Sequence, residues 1–353
     1  MAATFEPAGA CTALVTPFDA RFRLDLDAYR RIIEFQVASG IRGLVPVGST
    51  GESPTLSWDE HILTLEAAVK AAQGKAGVLA GTGSNSTEEA ISATRHAREA
   101  GAGAALLVDC YYNGPSSLEL RSEYYEAILE AVPEIPLVPY LIPGRTGCVL
   151  SAEDLAILHR THPRRVPAVK EATGDLERMR CDRTLAGPTL AILSGDDDLT
   201  VAMMQDPRIQ ASGVISVMSN LAPGAVHRLV AAQSACDRSE SAHWAQVLAP
   251  LFRLVTCRSR AVRQVGGGKV SVEDRYRNPV PVKTMMAGLG IPCGPCRRPL
   301  GKMERAGVET CRAALREVFR ADPESLRPID RFFGVNVEGR LADDSVWAAL
   351  TRS

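Results

Sequence analysis

The chain of 353 residues is 46% hydrophobic and carries 40 basic against 41 acidic side chains, a formal net charge of -1. That balance excludes the broad basic surface used to hold nucleic acid or anionic membranes, and no apolar run approaches membrane-spanning length. Residues 1–10 lack the basic start and apolar core of a secretory leader, so a cytoplasmic protein acting on a small soluble ligand is expected.

From residue 10 to about 220 one alternation recurs: a short Val/Leu/Ile/Ala run, a Gly or polar turn, then a longer segment with helical spacing. Strands are expected over 11–16, 43–47, 77–81, 104–109, 136–142, 166–172, 190–195 and 213–217. Helices are expected over 27–39, 57–72, 87–100, 117–131 and 151–160, two of them opened by a capping residue, Ser57 with Glu60 and Ser151 with Asp154. Eight such units with near-continuous apolar strands predict an α/β chain folded as a closed parallel (β/α)8 barrel, with an open doubly wound sheet as the alternative. After Asn220 the strand signal stops, and helices are expected over 223–234, 241–256, 282–289 and 307–320. The domain reading is a catalytic barrel over 1–235, a C-terminal helical appendage over 236–320 containing a basic, flexible surface insertion at 258–275, and a tail over 321–353. The insertion contains Gly266-Gly267-Gly268-Lys269, but Val270 breaks the order a phosphate loop needs.

In such a barrel the active site lies at the C-terminal ends of the strands. The sixth strand, Val166-Pro167-Ala168-Val169-Lys170-Glu171-Ala172, places Ala168 and Lys170 on one face and Val169 and Glu171 on the other. If the Ala168 face is the interior, Lys170 is an amine in apolar surroundings, suited to attack a ketone and form a Schiff base. A lysine paired with a carboxylate at a strand end is the plainer alternative. Around it, strand two runs into Gly48-Ser49-Thr50-Gly51-Glu52, and strand four ends at Cys110-Tyr111-Tyr112-Asn113. Strand five carries Tyr140 on the face of Val138 and Ile142 and leads into Pro143-Gly144-Arg145-Thr146-Gly147. Strand seven ends in Gly195-Asp196-Asp197-Asp198, and strand eight is Gly213-Val214-Ile215-Ser216-Val217.

In this order and placement the motifs resemble the pyruvate-dependent class I aldolase family that includes dihydrodipicolinate synthase and N-acetylneuraminate lyase, over roughly residues 10–320. Arg277-Asn278-Pro279 and Lys283 fit the same pattern, and Arg145 with Tyr111-Tyr112-Asn113 favours the synthase branch. The resemblance implies that Lys170 forms an imine with pyruvate, whose enamine adds to aspartate semialdehyde to give 4-hydroxy-tetrahydrodipicolinate in lysine biosynthesis. It implies Tyr140, Ser49 and Tyr112 as a proton relay, with Tyr112 supplied by a neighbouring subunit of a homodimer or homotetramer. Ser49 and Thr50 would hold pyruvate's carboxylate, Arg145 that of the aldehyde, and Gly195 and Ile215 would complete the substrate contacts. No metal or organic cofactor is implied, because the imine is the electron sink. A lysine feedback site is implied at Trp58, His61, Asn85, Glu89 and Tyr111.

Some positions depart from the synthase pattern. Ser49 stands for a Thr, Leu141 for an Asn, Ala168 for a Gly, and Asp109-Cys110 for Thr-Pro. They remove no catalytic group but leave open a sister aldolase acting on another aldehyde, or a non-catalytic paralogue that binds keto acids. The odd number of cysteines, nine, argues against a disulfide framework. Cys293-Gly294-Pro295-Cys296 has the spacing of a redox dithiol, but lacks the preceding strand and following helix of such a site, and reads as a loop.

Overall fold

All eight expected strands form in the computed structural model, which describes residues 5–352; residues 1–4, the start of the stretch read for a leader, and residue 353 lie outside it. They are β1 Gly9–Ala13, β2 Gly43–Val45, β3 Gly77–Gly81, β4 Ala104–Val108, β5 Leu137–Leu141, β6 Ala168–Glu171, β7 Ala191–Ser194 and β8 Gly213–Ser216. Every neighbouring pair is parallel, and β8 closes on β1, so the order around the closed barrel is the order in sequence. The closed barrel, not the open sheet, is the fold.

Because side chains alternate along a strand, each strand feeds two separate apolar layers. The inner layer gathers Cys11, Val45, Leu106, Val138, Ala168, Leu193 and Ile215. The outer layer, between strands and helices, takes the other parity, with Leu44, Leu107, Leu141, Val169, Ile192 and Val214. Ala168 is therefore interior. Lys170, two residues on, shares its face.

The helices start where the capping chemistry places them. Before helix Trp58–Ala72, Ser57 Oγ accepts from Glu60 N while Ser57 N donates to Glu60 at 3.0 Å, and Ser151 Oγ accepts from Asp154 N at 3.1 Å. The 117–131 helix is interrupted by a wide turn over Leu120–Glu126. That turn carries two consecutive buried tyrosines, both anchored at the end of β4: Tyr124 donates to the Val108 carbonyl and Tyr125 to Asp109 Oδ1 at 2.6 Å.

One expectation is overturned. The 258–275 stretch is not a flexible insertion in an otherwise helical region but the body of an antiparallel hairpin, β9 Thr256–Val265 and β10 Gly268–Arg277. Gly266, at φ 56°, makes the tight turn that joins them. The strand signal is faint because most of the ribbon faces water, and arginines occupy positions where an apolar alternation would appear. Only its base is covered: Cys257 and Ser259 are buried, and Tyr276 Oη accepts from Glu304 N at 3.1 Å.

Helices Val280–Leu289 and Arg305–Ala321 follow, and the 321–353 tail packs back on the body. Phe332 and Phe333 meet Phe35 of the first helix, Leu26–Ala38, at centroid distances of 5.3 and 5.2 Å. Trp347 is wholly buried against Gly288. No helix among the described residues is long and apolar enough to cross a membrane.

Candidate active site

Lys170 and Tyr140 are register partners on adjacent strands. Both point into the barrel at its C-terminal end, and Lys170 Nζ lies 4.0 Å from the centroid of the Tyr140 ring. Lys170 is 5% exposed, and among the described residues it has no carboxylate within ion-pair distance. A second buried lysine supplies the contrast. Lys283 Nζ is 2.6 Å from Glu52 Oε1 and also donates to the Thr16 and Pro295 carbonyls. The plainer alternative for Lys170 therefore describes Lys283 instead.

Gly195 is the residue that makes room for Lys170. A Cβ at 195 would sit 2.7 Å from Ala172 Cβ and 3.1 Å from Lys170 Cε, so a side chain there would displace Ala172 and press on the Lys170 stem. Next to it, burial pushes the Asp196 carboxyl up to about 6, against the pull of Lys170. Ile215 is buried in the inner layer on β8. Behind Lys170, on the outer face of β6, burial and the charge of Asp182 push Glu171 up to about 8.

Tyr140 links Lys170 to a cavity of about 540 Å³, whose walls also include Ser49, Tyr111, Arg145, Arg277 and Asn278; Lys170 itself lies behind that wall. Thr50 lies beneath the wall, 3% exposed, where its Oγ1 accepts from Asn278 Nδ2 at 2.8 Å. The Asn278 carbonyl accepts from Arg145 Nη2 at 2.8 Å. Asn278 thus ties the hydroxyl turn after β2 to the arginine turn after β5, and its Oδ1 has no partner among the described residues. Glu52, the one carboxylate on the cavity wall among the described residues, is held by Lys283 and by Arg297 N at 2.8 Å. An anionic ligand entering here meets hydroxyls and guanidinium groups and, among the described residues, no free carboxylate.

The proposed site residues do not all converge. Tyr112 has φ 79° and is 94% exposed, outside the cavity of its own chain, while its neighbour Tyr111 lines it. The five residues of the implied lysine site fall into two groups. Trp58 and His61 meet on one helix, their ring centroids 5.1 Å apart and their planes tilted by 53°. Asn85 Oδ1 accepts from Tyr111 N at 2.9 Å, and Glu89, which accepts from Ser84 Oγ, helps to raise the Tyr111 phenol after burial has done most of it. Burial pulls His61 down to about 4, so its ring is neutral at physiological pH. Cys293 and Cys296 lie in a loop; burial raises both thiols, Cys293 to about 11, which suits packing better than thiolate chemistry.

Two contributors escaped the sequence reading as site residues. Asn278 and the Glu52–Lys283 pair occur in the motifs, but only the fold shows that residues more than 200 positions apart bond to one another.

The model of the dihydrodipicolinate synthetase family matches residues 6–266. The chain belongs to this family. The 4-hydroxy-tetrahydrodipicolinate synthase of Synechococcus sp. (strain CC9605) is 38% identical over 309 residues, 87% of this chain and 94% of that protein. Among solved structures, the dihydrodipicolinate synthase of Acinetobacter baumannii, complexed with pyruvate, superposes with a TM-score of 0.78 at 32% identity, covering 89% of this chain and 99% of that one. The synthase of Cyanidioschyzon merolae, with lysine bound, gives 0.78 at 31% identity over 88% and 98%. Membership makes this chain an enzyme of the lyase, class I aldolase kind.

Proposed function

We propose that this synthase-family chain condenses pyruvate with L-aspartate 4-semialdehyde on Lys170, giving 4-hydroxy-tetrahydrodipicolinate for lysine biosynthesis. The observation that carries the reading is the state of Lys170: buried on the inner face, with no carboxylate partner among the described residues, beside a phenol that lines a cavity bearing two arginines. The Lys170 amine attacks the pyruvate ketone, and the resulting carbinolamine loses water to give an imine. Loss of a methyl proton gives the enamine, whose carbon adds to the aldehyde. The amine of the bound acceptor then displaces Lys170 and closes the ring, so the water lost on imine formation is the net water released.

Each of these steps moves a proton, and Tyr140 is the phenol nearest the amine. Ser49 lies on the cavity wall and Thr50 just beneath it, both in the turn that would receive pyruvate's carboxylate, with Gly195 and Ile215 flanking the reacting carbon. Arg145 takes the carboxylate of the aldehyde through its planar fork. Tyr112, projecting into solvent, reaches the cavity of a second copy in a homodimer or homotetramer and completes the relay there. The enzyme works in the cytoplasm. Lysine, bound in the relative from Cyanidioschyzon merolae, is a feedback inhibitor here through Trp58, His61, Asn85, Glu89 and Tyr111.

The test is turnover of pyruvate with aspartate semialdehyde, coupled to a downstream reductase, for the wild type and Lys170→Ala. Activity abolished in the variant, with loss of the borohydride-trapped pyruvyl adduct, is expected. A wild type that traps pyruvate but does not turn over this aldehyde would assign the acceptor to another aldehyde; one that traps nothing would sink the aldolase reading. Inhibition by millimolar lysine is measured in the same assay.

A further inference from the structure

A second arginine reaches the cavity from the hairpin that the barrel does not need. Arg277 is the last residue of β10, paired in register with Thr256. It lines the cavity together with Arg145. The two segments exchange bonds crosswise: Arg277 Nη1 donates to the Gly144 carbonyl at 2.9 Å, and Arg145 Nη2 donates to the Asn278 carbonyl at 2.8 Å. Each guanidinium is thereby fixed beside the residue that carries the other.

Neither arginine forms an ion pair with a carboxylate among the described residues, and each uses a single N–H of its five on that backbone bond. Two cations held near one another without a counter-ion repel, a cost removed when an anion arrives between them. Glu52 cannot serve, since Lys283 and the Arg297 amide hold both its oxygens. Arg277 is also held firmly: Tyr276 accepts from Glu304 N at 3.1 Å, and Asn278 N donates to the Val255 carbonyl at 3.0 Å. Its base is anchored, so the side chain is presented to the cavity in one place.

We propose that Arg277 is a second carboxylate-binding side chain of the cavity, forming with Arg145 a two-guanidinium clamp that selects acceptor aldehydes bearing a carboxylate. For its substrate the clamp rests on the aldolase reading of the site; its anion selectivity does not. The hairpin then contributes to specificity by delivering this residue, and the amine chemistry at Lys170 proceeds without it.

Two readouts on the wild type, Arg277→Gln and Arg277→Lys test it. In steady-state kinetics, Arg277→Gln should raise KM for aspartate semialdehyde about ten-fold, leave KM for pyruvate and kcat within two-fold, and be partly rescued by Arg277→Lys. In calorimetry with saturating pyruvate, succinate, an unreactive dicarboxylate, should bind the Gln variant about ten-fold more weakly than the wild type, again with rescue by Lys. Gln retains a donor for the Gly144 carbonyl but no charge. Equal losses in Gln and Lys would therefore reduce Arg277 to a brace for the Gly144 turn and overturn the proposal, as would succinate binding unchanged in both. If the wild type turns over no aspartate semialdehyde, the acceptor assignment fails, and the succinate ratio alone decides the clamp.

Discussion

Lys170 and Tyr140 sit side by side on β6 and β5 with the amine 4.0 Å from the centre of the phenol ring. In the proposed mechanism this contact joins the nucleophile to its proton carrier, and the ring also covers an amine that is 5% exposed. These two roles separate in Tyr140→Phe, which keeps the ring and deletes the hydroxyl. The variant should still yield a borohydride-trapped pyruvyl adduct, while kcat falls by about 10²–10³. Loss of trapping together with turnover would move Tyr140 from proton transfer to shaping the pocket.

The two buried lysines should respond in opposite ways. Removing Lys283 leaves Glu52 as an uncompensated buried charge and frees the Thr16 and Pro295 carbonyls. Lys283→Met is expected to lower stability by about 3–5 kcal/mol, seen as a drop in denaturant midpoint, yet the protein that remains folded should trap pyruvate. Lys170→Met should abolish trapping at little cost in stability, because no partner is orphaned. Trapping lost in the Lys283 variant under conditions where it is folded would contradict this division.

The barrel was legible because its strands are buried on both faces and separated by capping and glycine signals, and Lys170 because it shares parity with Ala168. The hairpin was not, since a ribbon exposed along most of its length needs no apolar alternation. The Asn278 bridge was hidden for a different reason. Its partners, Thr50 and Arg145, lie 228 and 133 residues away, and no local pattern encodes such a meeting. Tyr112 could be named from its motif, but the motif does not tell that its side chain is 94% exposed, outside the cavity of its own chain.

The 321–353 tail is a structural element. Trp347 fills a fully buried slot over Gly288, where a Cβ would approach its ring to 2.2 Å, and its Nε1 donates to the Arg340 carbonyl at 2.9 Å. Trp347→Ala should cost about 3–5 kcal/mol, and Gly288→Ala should destabilise by overpacking the same slot. Thermal unfolding of both variants checks this. A Trp347→Ala midpoint equal to that of the wild type would mean the tail docks without stabilising the body.

Glu171 gives the protein a pH dependence that can be isolated. Its Oε1 accepts from Thr173 N at 2.8 Å, whereas its Oε2 and Asp182 Oδ2 have no other partner among the described residues and face one another, with Arg178 on the far oxygen of Asp182 at 2.9 Å. One proton between these two oxygens would satisfy both. Burial and then the Asp182 charge push Glu171 up to about 8 from an ordinary value of 4.5. Between those values the native protein holds a proton that the unfolded chain has released. This group's contribution therefore falls as pH rises through the window, and its full cost is felt above about 8. Glu171→Gln keeps an acceptor for Thr173 N and supplies a permanent donor to Asp182. Its thermal midpoint should match the wild type near pH 5 and exceed it by several degrees at pH 9, with turnover at pH 7 within two-fold. Parallel midpoint curves across that range would show that Glu171 is ionised in the native state and that the shared proton does not exist.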